Sequence, residues 1–182
     1  MIKSLKDYKE YVKKDELMSN GNVSGHKFLC LGEDIKKYLR ILRKREYLFY
    51  LRNERKVKFL KIYDLFLQYR MHNLGIKLGF SIPLNTVGEG FRIDHYGGKT
   101  INPEAKIGKN CHIFGEVTVG VKDNSGSKAP IIGNNVTIGT GARIIGPITI
   151  ASNCKIGANA VVTRSFLEEG KTIVGIPARE IK

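Results

Sequence analysis

Long apolar runs are missing from this 182-residue sequence. No stretch approaches the roughly 20 residues a membrane-spanning helix requires, so the chain offers no candidate span. Tryptophan is absent and cysteine is scarce. Three cysteines, an odd number without metal-type spacing, argue against a disulfide framework and against a zinc site. The acidic residues form no convergent cluster, and no metal is expected. The opening stretch MIKSLKDYKEYVKKDE is too charged for a signal peptide, which predicts a cytoplasmic protein. A hydrophobic share of 42% and a mean hydropathy of −0.20 fit a globular chain. Its length allows one substantial core, or one domain with a smaller attached module.

Acidic residues are few, at 17 against 31 Lys+Arg, and the imbalance is uneven. Residues 1–80 carry a net charge of +10 and the remainder +4. The surplus is densest in KKYLRILRKREYLFYLRNERKVK. Such a stretch suits nucleic acid, an anionic membrane surface or an acidic polymer, or simply a solvated helix face. No RNA- or DNA-binding signature accompanies it, and nucleic acid is not expected as a partner. Peripheral association with the inner face of the cytoplasmic membrane, through these basic helices, stays open.

Residues 1–80 read as a basic α-helical region. Ser4-Leu5-Lys6-Asp7 resembles a capping box and opens a helix that stops near Gly21. A second helix begins near Asp34, with Ile35, Leu39 and Leu42 on one side. A third, from about Val57 to Asn73, shows Leu60, Tyr63, Phe66 and Tyr69/Arg70 near helical spacing. Gly75 and Gly79 then punctuate the chain.

Beyond Val87 the chain repeats. Ile101, Ile107, Ile113 and Val119 are six residues apart, and so are Ile132, Ile138, Ile144, Ile150, Ile156 and Val162. Small or modest apolar side chains stand two residues before most of them: Ala105, Cys111, Val117, Val136, Ala142, Ile148, Cys154 and Ala160. Neither the helical period of 3.6 nor the strand period of 2.0 produces this ladder. A solenoid does, because each coil buries its aliphatics against the coils on either side. Residues 81–182 are therefore expected to form one solenoid domain with a C-terminal tail. Cys111 and Cys154 fall on the small inward position, equivalent to Ala105 and Ala160, and read as core thiols. Cys30, in HKFLCLGED, has an apolar context and suggests no function.

The run from Val87 to Arg179 resembles the left-handed β-helix, hexapeptide-repeat acyltransferases. Within them it is most similar to the serine acetyltransferase type and its relatives in surface-polysaccharide (capsule and O-antigen) gene clusters. The matching stretches are GEGFRIDHYGG, NPEAKIGKNC, VTVG, APIIGNNVTIGTGARIIG, KIGANAVVTRSF and VGIPARE, about half the chain. The resemblance implies a mainly β fold, a left-handed parallel β-helix behind the helical region. It also implies a homotrimer with acetyl-CoA lying in grooves between neighbouring subunits.

Two departures break the repeat. Ile93 to Ile101 is eight residues, so the corner at DHYGG must bulge. Val119 to Ile132 is thirteen, and carries the polar insertion VKDNSGSKAP. Loops on a rigid scaffold carry function, and His95 stands in the bulge. Transfer of acetyl from a thioester to an alcohol needs removal of the hydroxyl proton, a task suited to histidine. The matching histidine of the resembled family is that base and acts without an acyl-enzyme. A corner histidine held for structural reasons is the bland alternative. His26 and His72 read as surface residues, and His112 as lining the site at most.

In a gap-free alignment, the family's aspartate that orients the histidine falls on Phe80. Asp94, adjacent, and Glu116, about one coil later, are the candidates to take over. For acetyl-CoA the resemblance points to Gly120, Gly139, Thr140 and Ala158. Lys122, Lys155, Arg164 and Arg179 are added for its anionic end by position and charge alone. The family's second site histidine falls on Ala129, which argues against L-serine and for a bulkier acceptor. The expected activity is thus acetyl-CoA-dependent O-acetylation of a sugar or polysaccharide precursor. The alternatives are an L-serine O-acetyltransferase and a non-catalytic trimeric scaffold.

Overall fold

The computed structural model describes residues 1–19, 33–123 and 128–181. His26, Cys30 and the middle of the polar insertion lie outside the described residues. Three helices come first: α1, Leu5–Ser19; α2, Glu33–Asn53; and α3, Lys61–Leu78, entered through a 3-10 turn at Lys58–Leu60. Ser4 Oγ accepts the Asp7 amide at 3.0 Å, and Asp7 Oδ2 accepts that of Lys3 at 2.9 Å. This is a capping box whose return bond lands one residue early. Ile35, Leu39 and Leu42 of α2 are buried together, on the side their spacing predicts.

The third helix turns the other way from its sequence reading. Its inner face is Asp64, Leu67, Met71, Gly75 and Leu78, while Tyr63, Phe66 and Tyr69 are 40–65% exposed. Both faces of α3 are apolar, so periodicity finds the helix without choosing its side. Polar and steric partners choose it. Asp64 takes Arg45 at 3.1 Å and Arg52 at 2.5 Å from α2. Gly75 lets the chain close in, since a Cβ there would lie 2.8 Å from the Phe80 carbonyl oxygen. The helix runs through Gly75 and ends at Gly79, whose left-handed φ of +77° caps it.

Short strands then wind into coils. They are β1 (Phe80–Ser81), β2 (Arg92–Ile93), β3 (Lys99–Ile101), β4 (Lys106–Ile107) and β5 (His112–Ile113). Next come β6 (Val117–Gly120), β7 (Ile131–Ile132), β8 (Thr137–Ile138), β9 (Arg143–Ile145) and β10 (Thr149–Ile150). The last are β11 (Lys155–Ile156), β12 (Val161–Val162), β13 (Thr172–Gly175) and β14 (Ala178–Ile181). Three sheets form the sides of a prism: β1-β3-β6-β9-β12, β4-β7-β10, and β2-β5-β8-β11-β13-β14. All pairs are parallel except the closing β13–β14 hairpin. Register partners such as Lys99 and Val117, or Arg143 and Val161, stand one coil apart. The coils that carry the two departures are longer, pairing Arg92 with His112 and Lys106 with Ile131. From Ile101 to Val162 the six-residue ladder points inward, each of its aliphatics at most 4% exposed.

The first coil has no coil before it, so part of its backbone must find other partners. The helices supply them as charged side chains. Arg43, fully buried, donates to the carbonyls of Val87 at 2.9 Å and Gly88 at 2.5 Å. Its guanidinium is held by Asp15 at 2.7 Å and Glu46 at 3.0 Å. Those carboxylates in turn accept the amides of Phe91 at 2.9 Å and Asn85 at 2.7 Å. Arg40 pairs with Glu16, and Arg45 and Arg52 share Asp64. Much of the basic stretch therefore serves as helix-to-helix and helix-to-coil wiring. Among the described residues, no helix is long and apolar enough to cross a membrane.

Candidate active site

The bulge occupies the corner between β2 and β3. His95 sits there in the left-handed region at φ +65°, and Gly97 at +102°. For a histidine this conformation is uncommon, so the surroundings must hold it. Asp94 N donates to the Ile113 carbonyl at 3.0 Å in the next coil. Gly97 N donates to the Leu78 carbonyl at 3.0 Å, tying the bulge to the end of α3. The side chains of His95 and Tyr96 remain exposed.

The two acids expected beside His95 have different surroundings. The Asp94 carboxylate takes Arg92 through two contacts, 3.0 and 3.2 Å, and lies 2.6 Å from His112 Nε2. Burial pushes the Asp94 carboxyl up, but the Arg92 and His112 contacts outweigh it and hold it below its ordinary value. Glu116 is exposed, on the same corner one coil further, and its Cγ comes within 3.5 Å of where a Cβ on Gly97 would stand. His112, read from sequence as a lining residue at most, thus joins the polar cluster next to His95. Its outward place in β5, one coil after Arg92, was the available signal.

The ridge through His95 continues down the prism. Thr140 is exposed on it, with Cγ2 within 3.5 Å of a Cβ built on Gly115. Below Thr140 comes Ala158, whose backbone nitrogen would lie 2.6 Å from a Cβ on Gly139. Here glycine is required because two coils touch, and a side chain would part them. His95, Glu116, Gly139, Thr140 and Ala158 therefore share one corner. Gly120 ends β6, and Lys122 is the second residue of the insertion, both at the next corner of the prism. Arg164 lies on that second corner two coils later, its guanidinium 5.0 Å from the Phe166 ring. Lys155 is exposed on β11, and Arg179 on β14 at the far end of the same sheet. Within one chain the expected cofactor residues do not converge.

The thiols stay inside. Cys111 and Cys154 have no exposed surface, and burial pushes the Cys111 thiol up to about 11, far from a nucleophile's range. Replacing either by alanine should leave turnover unchanged and cost about 1 kcal/mol of stability, the worth of a small buried group. Thermal melts and a thiol-release assay on each variant check this; activity lost from a folded variant would make that cysteine chemical.

The repeat matches the family described as Bacterial transferase hexapeptide (six repeats) over residues 129–164. A serine acetyltransferase of Synechococcus elongatus is 42% identical over 96 residues, 52% of this chain and 39% of that one. One from Helicobacter pylori is 41% identical over 96 residues, 52% of this chain and 56% of its own length. The aligned stretch is thus about half of this chain and between 39% and 56% of these relatives. Among solved structures, Neisseria gonorrhoeae serine acetyltransferase superposes with a TM-score of 0.71 at 26% identity, covering 98% of this chain and 68% of that chain. The Brucella abortus enzyme in complex with coenzyme A gives 0.72 at 22% identity, covering 97% and 68%. These names overturn the sugar-directed reading and the polysaccharide subtype. That reading leaned on Ala129, where an imidazole was expected. Ala129 is 6% exposed, so it faces the coil interior and says little about what meets an acceptor. The fold is the left-handed parallel β-helix of these serine acetyltransferases, with an N-terminal helical region.

Proposed function

We propose that this chain is an acetyl-CoA-dependent O-acetyltransferase whose acceptor is the hydroxyl of L-serine. The observation that carries this reading is the relationship at about 40% identity, confined to the β-helix, with enzymes named serine acetyltransferase. In this reading His95 takes the proton of the serine hydroxyl as its oxygen attacks the thioester carbonyl. The tetrahedral intermediate then collapses, the carbon–sulfur bond breaks, and the departing thiolate recovers the proton from the imidazolium. No acyl-enzyme is needed, in keeping with the buried thiols. Arg92 and Asp94, paired one side of His95, carry the two charge signs that a zwitterionic acceptor presents in reverse.

The partition of the site supports a trimer. The His95 bulge leads into β3, while the insertion leaves β6, so they stand at opposite ends of neighbouring strands. A strand of this length separates them by roughly 10 Å. A groove needing both must take one corner from each of two chains, and a threefold ring of prisms brings them together three times. Acetyl-CoA would then lie along the Gly139, Thr140 and Ala158 ridge of one subunit, facing Gly120 and Lys122 of the next.

Two measurements test the reading. Purified protein should release thiol from acetyl-CoA in an L-serine-dependent manner, with kcat at saturating L-serine well above the turnover by hydrolysis without it. Light scattering should give three times the chain mass of 20.4 kDa. Thiol release indifferent to L-serine would overturn the acceptor, and a monomer at micromolar concentration would overturn the shared site.

A further inference from the structure

Lys99 is the first residue of β3, and it has no exposed surface at all. A buried lysine normally finds a carboxylate. Among the described residues, none lies within 4.0 Å of this one, since Lys99 forms no ion pair. Its ammonium is instead turned back into the bulge. Nζ donates to the carbonyl oxygens of His95 at 2.8 Å, Tyr96 at 3.2 Å and Gly97 at 3.2 Å. Three donors meet three consecutive carbonyls. On its other side the ammonium stands 5.0 Å from the centre of the Phe80 ring, within cation–π range. The bulge is thus wrapped around a cation, and the left-handed turns at His95 and Gly97 are what bring the carbonyls to one point. The position where the family resemblance expects an acid holds an aromatic ring that seats this ammonium.

We propose that Lys99 is the positioning residue of the acetyl-transfer site, its ammonium fixing the strained turn that presents the His95 imidazole. The proposal rests on the reading of His95 as the base. A carbonyl held from His95 itself leaves that residue's backbone little freedom, and a catalytic group displaced by about 1 Å can cost 100-fold in rate.

The arrangement has an energetic signature. Burial pulls the Lys99 ammonium down to about 8, against the opposing pull of Glu116 and then Asp94. Other charges face the bulge more remotely: Arg92 and His112 on Asp94, and Arg143, which donates to the Glu116 carbonyl. A lysine whose folded value lies below its unfolded 10.5 binds fewer protons when native between those two pH values. Stability therefore rises with pH across that window. Below pH 8 the buried charge costs stability, which a residue of purely structural use would not do. Deprotonated, the amine has two hydrogens for three carbonyls, and the turn loosens.

Lys99→Met keeps the length of the side chain and removes the cation. At neutral pH the relief of the buried charge offsets the hydrogen bonds lost by the three carbonyls, so it should melt near the parent protein, yet lose about 10- to 100-fold in kcat with L-serine. The KM for acetyl-CoA should stay within about twofold, because the ammonium meets the bulge and Phe80 and none of the residues expected to hold the cofactor. Parent kcat should fall above pH 8 as Lys99 loses its proton, and this fall should be absent in Lys99→Met, which has no amine at that position. Hydrogen exchange at residues 95–98 should quicken in the variant whether or not turnover is measured. In a His95→Asn background, Lys99→Met should add no further loss, since both act through one imidazole. Unchanged kcat, unchanged exchange at 95–98, or losses that simply multiply would each overturn the proposal. An active His95→Asn would instead overturn the assignment of the base, and the exchange measurement would still judge the clamp.

Discussion

His95→Asn should fold as the parent does and transfer acetyl about two to four orders of magnitude more slowly, the usual worth of a positioned general base. Asparagine is the sharper substitution for two reasons. It tolerates the left-handed backbone that His95 adopts at φ +65°, so the bulge need not relax. Its amide cannot accept the proton at neutral pH. His95→Ala should be at least as slow, with a strain cost of order 1 kcal/mol at that φ. Because His95 is exposed, neither variant should lose much stability. The affinity for acetyl-CoA should hardly move, because the proposed role of the imidazole is at the acceptor oxygen and not at the cofactor. Stopped-flow or steady-state thiol release, with binding measured separately by calorimetry, separates these quantities. A variant with parental kcat would remove His95 from the chemistry.

The ladder of inward residues was legible because a solenoid repeats its environment every six positions, and burial is monotonous along it. From Ile101 to Val162 each expected inward residue is inward. The departures were legible as departures, but not the corner of the prism that each one falls on. Counting strands shows that the corners are two: the bulge enters β3 and the insertion leaves β6, one coil later. A linear pattern gives the distance between interruptions more readily than the corner each one falls on. Lys99 was hidden for a different reason. In sequence it is one more lysine in a lysine-rich chain, and only the folded turn sends its head inward. His112 and Arg43 were hidden in the same way, since a charge run looks alike whether it is solvated or spent internally. The outer face of α3 misled because Tyr63, Phe66 and Tyr69 are as apolar as the residues that are buried. Asp64 and Gly75, which decide the side, carry no hydrophobic signal.

Arg43→Met should destabilise the chain by about 3–5 kcal/mol, the cost of leaving buried charge without its counter-charge. Asp15 and Glu46 would face each other across the vacated guanidinium, at 4% and 2% exposure, with no water to share. Burial already pushes the Asp15 carboxyl up even with Arg43 in place, and losing the arginine drives it further the same way. A rescue experiment shows what the network is for. Replacing a buried ion pair by apolar residues is often neutral, so Asp15→Leu with Arg43→Met and Glu46→Leu would be harmless if the three served only each other. Here they also receive the amides of Asn85 and Phe91 and supply donors to the carbonyls of Val87 and Gly88. Those backbone groups belong to the first coil, which has no preceding coil to pair with. The triple variant should therefore stay destabilised by several kcal/mol, each buried backbone group left unmet costing about 1–3 kcal/mol. Its loss should concentrate in faster hydrogen exchange from Asn85 to Phe91, while the coils from Ile132 to Val162 keep their protection. A triple variant as stable as the parent would mean that the helices only rest on the β-helix, and that the first coil closes its own end.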